Sequence, residues 1–520
     1  MRAICNSPAH PFENTLLAIL SGVTLTAAFP PGPLSLLAWV ALVPLLFSIR
    51  NASAKSAFRL GCLAGLVHYL TLIYWIVVVL GHYGNLNIFL SLLALFLLSG
   101  YLSLYIGAFS LLTISVRQSR LKLLLLPTFW VALEYLRSYL LTGFPWCLLG
   151  YTQHKALPVI QIADVFGVYG VSFFIVLVNT FLFDALSQWK HSRLWPKWET
   201  ILTLVIAGSL LTYGYVTLSR DTTGEVGSPR LRAAIVQANI DQSLKWDPSY
   251  QDKTLNTYEK LTRLASATFH PELIIWPETA VPFFFQDHHR FSRRVLALSR
   301  ETGEALVFGA PAYERQKGMT RYYNRAYLLN PRVGPGADTA PVSVSRYDKV
   351  HLVPFGEYVP LKGLFPFLDK LVQAAGDFAP GKDPEPLSMN GRSLGVLICF
   401  EAIFPQLARD LVNKGAAVLI NLTNDAWFGK SSAPYQHLSM AVFRCVETRR
   451  PMIRAANTGF SAFISPSGKI MSRSDLFSEA VLYGAVATNN KDLTFYTRYG
   501  DLFALVLTAL SILKTAQAWV

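Results

Sequence analysis

The sequence predicts a polytopic α-helical membrane domain of about eight spans joined to a layered α/β domain outside the bilayer. Three observations predict this. Hydrophobic residues make up 52% of the 520 positions and charged residues only 15%. Charge is sparse from about residue 14 to 219 and from 502 to 519, and common between. In that middle stretch, short apolar runs alternate with amphipathic ones.

Composition narrows the class first. A soluble protein of this size carries about 25% charged residues. The mean hydropathy of +0.35 excludes a disordered chain and disfavours a purely soluble enzyme. Lysine and arginine outnumber aspartate and glutamate by 46 to 32, a net charge of +14. Such an excess can mark a nucleic-acid binder, but a chain this apolar gains it through cytoplasmic membrane loops. Nucleic acid is therefore not an expected partner, and basic residues in the globular part are expected to face an anionic lipid surface.

A bilayer span needs roughly 20 apolar residues. Spans are expected near 14–30, 34–49, 59–81, 86–115, 121–141, 159–187, 199–219 and 502–519. Arg50, Lys55 and Arg59 fill one loop, Arg117, Arg120 and Lys122 another, and Lys190, Arg193 and Lys197 a third. The alternate loops carry Lys155 alone. Cationic loops stay cytoplasmic, so both termini are expected inside and the globular domain outside the inner membrane. Thr26-Ala27-Ala28 could serve a signal peptidase, but a second span follows at once, so the first helix is expected to remain. Gly143-Phe144-Pro145-Trp146 reads as an interfacial turn or re-entrant bend. Glu134 and Arg137 share a helix face in the fifth span and are expected to pair. The domains are then 1–219 (transmembrane), 220–499 (globular) and 500–520 (a last span).

Within 220–499, strands are expected at 231–237, 273–276, 305–310, 322–329, 343–347, 393–399 and 417–422. Helices are expected at 249–268, 288–302, 405–414 and 434–449. Interleaving of this kind indicates a layered α/β domain.

Three strand ends carry reactive side chains. Leu394-Gly-Val-Leu-Ile-Cys399 runs a buried strand into a thiol, where a nucleophile can be fixed beside main-chain N–H groups. A core cysteine would look the same. Ile274-Ile-Trp-Pro-Glu278 puts a carboxylate at a sheet's carboxyl edge, fit for a general base or for a solvated loop. Lys349 again follows a strand, and Glu357, eight residues on, could hold it. The bland alternative is a surface ion pair of Lys349 with Asp348. Together the three supply nucleophile, proton carrier and oxyanion stabiliser for acyl transfer. The sequence has no GxSxG, P-loop, HExxH or EF-hand motif, and adjacent His288 and His289 do not share a helix face. No metal and no cofactor are implied. The five cysteines (Cys5, Cys62, Cys147, Cys399 and Cys445) form no CxxC pair, so one working thiol with four bystanders is expected.

Trp276-Pro277-Glu278, Asp348-Lys349-Val350-His351-Leu352-Val353-Pro354-Phe355-Gly356-Glu357 and Ile398-Cys399-Phe400-Glu401 resemble the carbon–nitrogen hydrolase (nitrilase) superfamily. Leu133 to Trp146, Gly167 to Val171, Asn421 to Gly429 and Arg449 to Ser461 extend the resemblance, over essentially the whole chain, to its membrane branch, the apolipoprotein N-acyltransferases. The resemblance implies an αββα sandwich with Glu278 as general base, Lys349 as oxyanion cation and Cys399 as nucleophile. Glu357 matches the supporting glutamate, and Glu401 stands beside it as a supporting residue. Phe400 replaces the tyrosine of some members and offers its main-chain N–H but no phenol. The resemblance further implies a phospholipid donor, phosphatidylethanolamine, and a diacylglyceryl apolipoprotein acceptor, joined by ping-pong kinetics through a thioester. Trp246, Asn424, Trp427 and Phe428 are expected to bind substrate, with Phe283-Phe284-Phe285 and Leu364-Phe365-Pro366-Phe367 as further lipid contacts. Two rivals are a membrane-tethered amidohydrolase that uses water and a transporter or receptor with an outer binding domain. Arg444, Arg449, Arg450 and Arg454 could meet phosphate, but pairing with Glu447 on a solvated helix face is the simpler expectation.

Overall fold

The computed structural model describes residues 11–192, 196–224, 229–316, 318–331, 342–358, 377–488 and 492–519. The chain folds into two compact units. The first comprises Met1–Val77, Asn87–Leu218 and Tyr499–Val520, and the second Val78–Leu86 and Ser219–Arg498.

The first unit is helical. Its helices are α1 (Pro11–Ala27), α2 (Val43–Ile49), α3 (Ala54–Leu72), α4 (Trp75–Val78), α5 (Ile88–Ser115), α6 (Lys122–Tyr139), α7 (Leu157–Ile160), α8 (Ala163–Ser192) and α9 (Lys197–Gly224), with a last helix at Leu502–Trp519. Ser53 and Asn87 cap α3 and α5, their side chains accepting the N–H of Ser56 and Leu90. The two helices cross closely because Gly61 and Gly65 of α3 face Ser110 and Ser103 of α5, where a Cβ would collide.

A helix stands at each of the eight expected places, but the count of eight spans is not met by length and composition. Among the described residues three helices suffice: Ile88–Ser115, Ala163–Trp189 and Lys197–Arg220. Ala54–Leu72 with Trp75–Tyr83 adds a fourth if that bent pair is one span. The 17 residues of α1 extend only about 25 Å, and α6 carries Lys122, Glu134 and Arg137. Glu134 and Arg137 take separate partners. Glu134 accepts the Leu149 N–H at 2.7 Å, and Arg137 donates to the Tyr69 hydroxyl. Trp146, expected at an interface, is buried against Trp75 at 4.8 Å between ring centroids.

The second unit stacks two six-stranded sheets. Its strands are β1 (Arg230–Gln237), β2 (Leu273–Ile275), β3 (Ala305–Gln316), β4 (Met319–Asn330), β5 (Ser343–Asp348), β6 (Leu387–Met389), β7 (Arg392–Ile398), β8 (Val418–Thr423), β9 (Met452–Ala456), β10 (Ala462–Ile464), β11 (Ile470–Arg473) and β12 (Ala480–Ala487). The sheet orders are β12-β1-β2-β3-β4-β5 and β11-β10-β9-β8-β7-β6. In each, three parallel strands (β1-β2-β3 and β7-β8-β9) are flanked by antiparallel ones. Helices α10 (Gln251–Phe269), α11 (Arg290–Thr302), α12 (Pro405–Asn413) and α13 (Ala433–Thr448) make the parallel crossovers.

Strand periodicity sorts the core into layers. Leu231, Ala233 and Ile235 of β1 meet Val396, Ile398 and Ile420 of the other sheet. Val236 and Ile274 face outward and pack with Tyr258 and Leu261 of α10. Trp276 closes that outer layer, stacked on Tyr258 at 4.7 Å and bonded through its indole N–H to Thr262 at 2.9 Å. The result is the αββα arrangement.

Candidate active site

Glu278, Lys349 and Cys399 each stand just beyond a strand. β2 is buried on both faces and stops where Pro277 cannot continue the ladder. The Trp276 N–H still bonds Val307 at 2.8 Å, and the Pro277 carbonyl accepts the Gly309 N–H at 3.1 Å, so Glu278 leaves the sheet edge in a fixed direction. A side chain at Gly309 would press into the Glu278 backbone. β5 ends at Asp348, which Arg325 of β4 grips with two bonds of 2.5 and 2.9 Å. Asp348 is therefore not the partner of Lys349, which turns inward, its N–H on the Asn324 carbonyl at 2.9 Å. β7 stops at Ile398, and Cys399 takes a φ of +52°, which is uncommon for any residue with a side chain and makes a sharp elbow.

Glu278, Lys349 and Glu357 form one buried cluster. The Lys349 Nζ lies 3.0 and 2.9 Å from the two Glu357 oxygens and 3.6 Å from Glu278 Oε1. Asn324, which the sequence reading missed, donates its amide to Glu278 Oε1 at 2.8 Å and to Glu357 Oε1 at 2.7 Å. Burial works against the charge on Lys349, but the Glu357 and Glu278 carboxylates outweigh it and hold the ammonium above lysine's ordinary value. Burial and the Glu278 charge push the Cys399 thiol up, against the pull of Lys349. A thiol shifted in this direction needs a base before it can act as a nucleophile.

Glu401 ties the elbow to the lysine's loop. Fully buried, it accepts the N–H of Ile398 at 2.7 Å, of Val350 at 2.6 Å and of His351 at 3.1 Å, and the Tyr347 hydroxyl at 2.9 Å. Burial lifts its carboxyl to about 7, although those main-chain donors and Lys349 oppose the rise. Behind the elbow, His437 Nε2 contacts the Cys399 carbonyl at 3.1 Å, and Nδ1 faces Asp425 at 2.9 Å. Arg454 holds the other Asp425 oxygen at 2.8 Å. This buried network fixes the Cys399 backbone from below. Its members sit at the end of β8, on α13 and on β9 and were not legible as a set.

A second lysine lies in the same site. Lys245, in the loop after β1, is buried and donates to the Glu278 carbonyl at 3.2 Å. Burial pushes it down to about 8, against the opposing pull of Glu278 and Cys399.

The remaining expected contacts divide. Trp246 is exposed and Trp427 half-buried, its ring 5.5 Å from that of Tyr83. Asn424 is buried as a clasp, donating to Gln242 at 2.6 Å and accepting from Asn457 at 3.2 Å. Phe428 sets its edge on His437. Phe400 is buried, its ring edge-on to Phe404. Phe283 and Phe285 pack in the core under α11 rather than toward a lipid, and 364–367 lie outside the described residues. Arg444 pairs with Glu447 at 2.8 Å, as expected, but in the core and not on a solvated face. His289 caps α11, its Nδ1 accepting the Phe291 N–H. Among the described residues no group of three or more His, Cys, Asp or Glu could hold a metal ion.

Residues 21–181 match the family model of the apolipoprotein N-acyltransferase N-terminal domain, and residues 232–491 that of carbon-nitrogen hydrolase. An apolipoprotein N-acyltransferase of Geobacter metallireducens is 44% identical over 98% of this chain and 96% of its own length. One from Methylococcus capsulatus is 35% identical over 95% of this chain and 94% of its own. One from Pasteurella multocida is 32% identical over 96% and 94%.

Proposed function

The chain belongs to the apolipoprotein N-acyltransferase family, and from that premise we propose that it moves a fatty acyl chain from a phospholipid, through a thioester on Cys399, to the α-amine of a diacylglyceryl apolipoprotein. The observation that carries the reading is the buried Glu278–Lys349–Glu357 cluster beside the Cys399 elbow.

In the first half-reaction Glu278 takes the Cys399 proton as sulfur attacks the ester carbonyl. Lys349 stabilises the oxyanion, with the Phe400 main-chain N–H as second donor. One such donor is worth about 3–4 kcal/mol. Glu278 returns its proton to the departing lysophospholipid. In the second half-reaction the acceptor amine displaces the sulfur. Phosphatidylethanolamine is the proposed donor. Cys399 is buried, which shelters a thioester from water. All eight apolar segments are proposed to cross the inner membrane, the shorter with help from flanking residues. The cationic loops support cytoplasmic termini and a periplasmic second unit. Trp246, Trp427 and Phe428 are proposed to meet the acyl chains.

Mass spectrometry of the protein after incubation with phosphatidylethanolamine vesicles tests the reading. An acyl adduct on Cys399 that passes to a diacylglyceryl peptide is expected. Release of free fatty acid without any adduct or peptide product would favour the hydrolase alternative and sink the transferase.

A further inference from the structure

The loop between β1 and α10 is turned inside out. Leu244 and Trp246 are 38% and 48% exposed, while Lys245 between them is 1% exposed. Surface loops ordinarily do the reverse, and lysine is almost never fully buried unless paired. Lys245 has no carboxylate within ion-pair distance among the described residues, since Glu278 directs its side chain to Lys349 and Asn324. An ammonium has three donors, and the Glu278 carbonyl takes one. Burying a charge so poorly matched destabilises a fold. Packing alone gives no reason for it, whereas its place beside the base and the nucleophile does.

Two lysines thus meet at one site in opposite circumstances. Lys349 is clasped by two carboxylates and keeps its proton. Lys245 is held by burial near the point of exchange, with Glu278 and Cys399 as the titratable groups acting on it. Groups pushed apart in this way mark separate acid–base duties. We propose that Lys245 is a second proton carrier of the acyl transfer, the base that takes the proton from the acceptor's α-ammonium, while Lys349 remains a fixed cation. The proposal rests on the acyl-transfer reading above.

The chemistry has a use for such a group. An α-amine titrates at about 8, so at neutral pH the acceptor arrives mostly as R–NH3+, which has no lone pair. Lys245 acts in its unprotonated form, a fraction that burial enlarges, and takes one proton. The freed lone pair forms the C–N bond and the C–S bond breaks. Glu278 carries a second proton from the nitrogen to the leaving sulfur, restoring the thiol. The products are the amide, Cys399–SH and protonated Lys245, which releases its proton to water before the next turnover.

The test uses full-length wild type, Lys245→Met and Lys245→Arg, loaded on phosphatidylethanolamine vesicles and freed of donor. Thioester loss is then followed by mass from pH 6 to 9. The nucleophile is either a diacylglyceryl peptide or hydroxylamine, which is largely free base at neutral pH. Both variants are expected to load Cys399 within tenfold of wild type. Peptide aminolysis at pH 7 should fall about 100-fold and recover as pH rises, while hydroxylamine stays within fivefold. Peptide aminolysis within threefold of wild type would overturn the proposal. So would an equal loss with hydroxylamine, or failure of both variants to load, since either makes the lysine structural. If wild type itself never loads, the acyl-transfer reading fails and the proposal with it. If wild type loads and the variants transfer normally, only the role of Lys245 falls.

Discussion

The carboxylate of Glu401 accepts the main-chain N–H of Val350 at 2.6 Å, binding the Cys399 turn to the Lys349 loop across 51 residues of sequence. Its other oxygen accepts Ile398 at 2.7 Å, so both oxygens are required as acceptors. Glu401→Gln would set an NH2 group against one of these N–H donors. Thioester formation should slow about 100-fold, the scale of a 1 Å misplacement. Phospholipid binding, measured by equilibrium with labelled vesicles, should change less than threefold.

Asn324 donates hydrogen bonds to both carboxylates of the cluster. Asn324→Ala should lower kcat at least tenfold with little change in KM, because Glu278 loses its aim rather than its substrate. Asn324→Asp should be worse, since a third carboxylate beside Glu278 and Glu357 repels both. Steady-state kinetics on the two variants check the order; an aspartate variant more active than the alanine one would contradict it.

Lys245 gives a stability prediction of unusual sign. Its folded value, about 8, lies below the ordinary 10.5. Between those two values the unfolded chain binds more protons, so stability rises with pH across the window and is lowest below it. The deficit at pH 7 is on the order of 3 kcal/mol. Lys245→Met should therefore raise the thermal midpoint at pH 7 while slowing the transfer. An unchanged or lower midpoint would mean that the ammonium is better satisfied than its single bond indicates.

Lys349 should behave in the opposite way. Lys349→Ala leaves Glu278 and Glu357 buried without their cation, and breaking such a pair costs about 3–5 kcal/mol. Thioester loading should be lost together with thermal stability. Adding Glu357→Gln should recover much of the stability and none of the loading. Glu278→Gln should block loading while leaving the midpoint within a few degrees. Intact-mass and thermal-unfolding measurements on the same samples separate the two effects.

The strand ends were legible because an apolar run that stops at a polar residue is a local signal. By that signal Glu278, Lys349 and Cys399 stand out in the sequence alone. Asn324 carries no such signal: its function lies in bonds to residues 46 and 33 positions away. Lys245 read as one more loop charge, since sequence does not say which way a loop side chain turns. Arg454 was expected with Glu447 on a solvated helix face because nothing local marks β9 as a strand; in the sheet its guanidinium is committed to Asp425. Hydropathy located all eight apolar segments but not their helical lengths, which turns such as those at Ser35–Trp39 and Leu140–Thr142 cut short.

The two sheets divide the chemistry between them. Glu278 and Lys349 leave the ends of β2 and β5, and Cys399 leaves β7. What sets their spacing is the layer of Ile275, Val307, Val396, Ile398 and Ile420 between the sheets. That layer acts as a shim: thinning it anywhere lets one sheet settle toward the other and shifts base against nucleophile. Catalytic rate thereby becomes a gauge of core thickness, sensitive to a lost methyl group well away from any reacting atom.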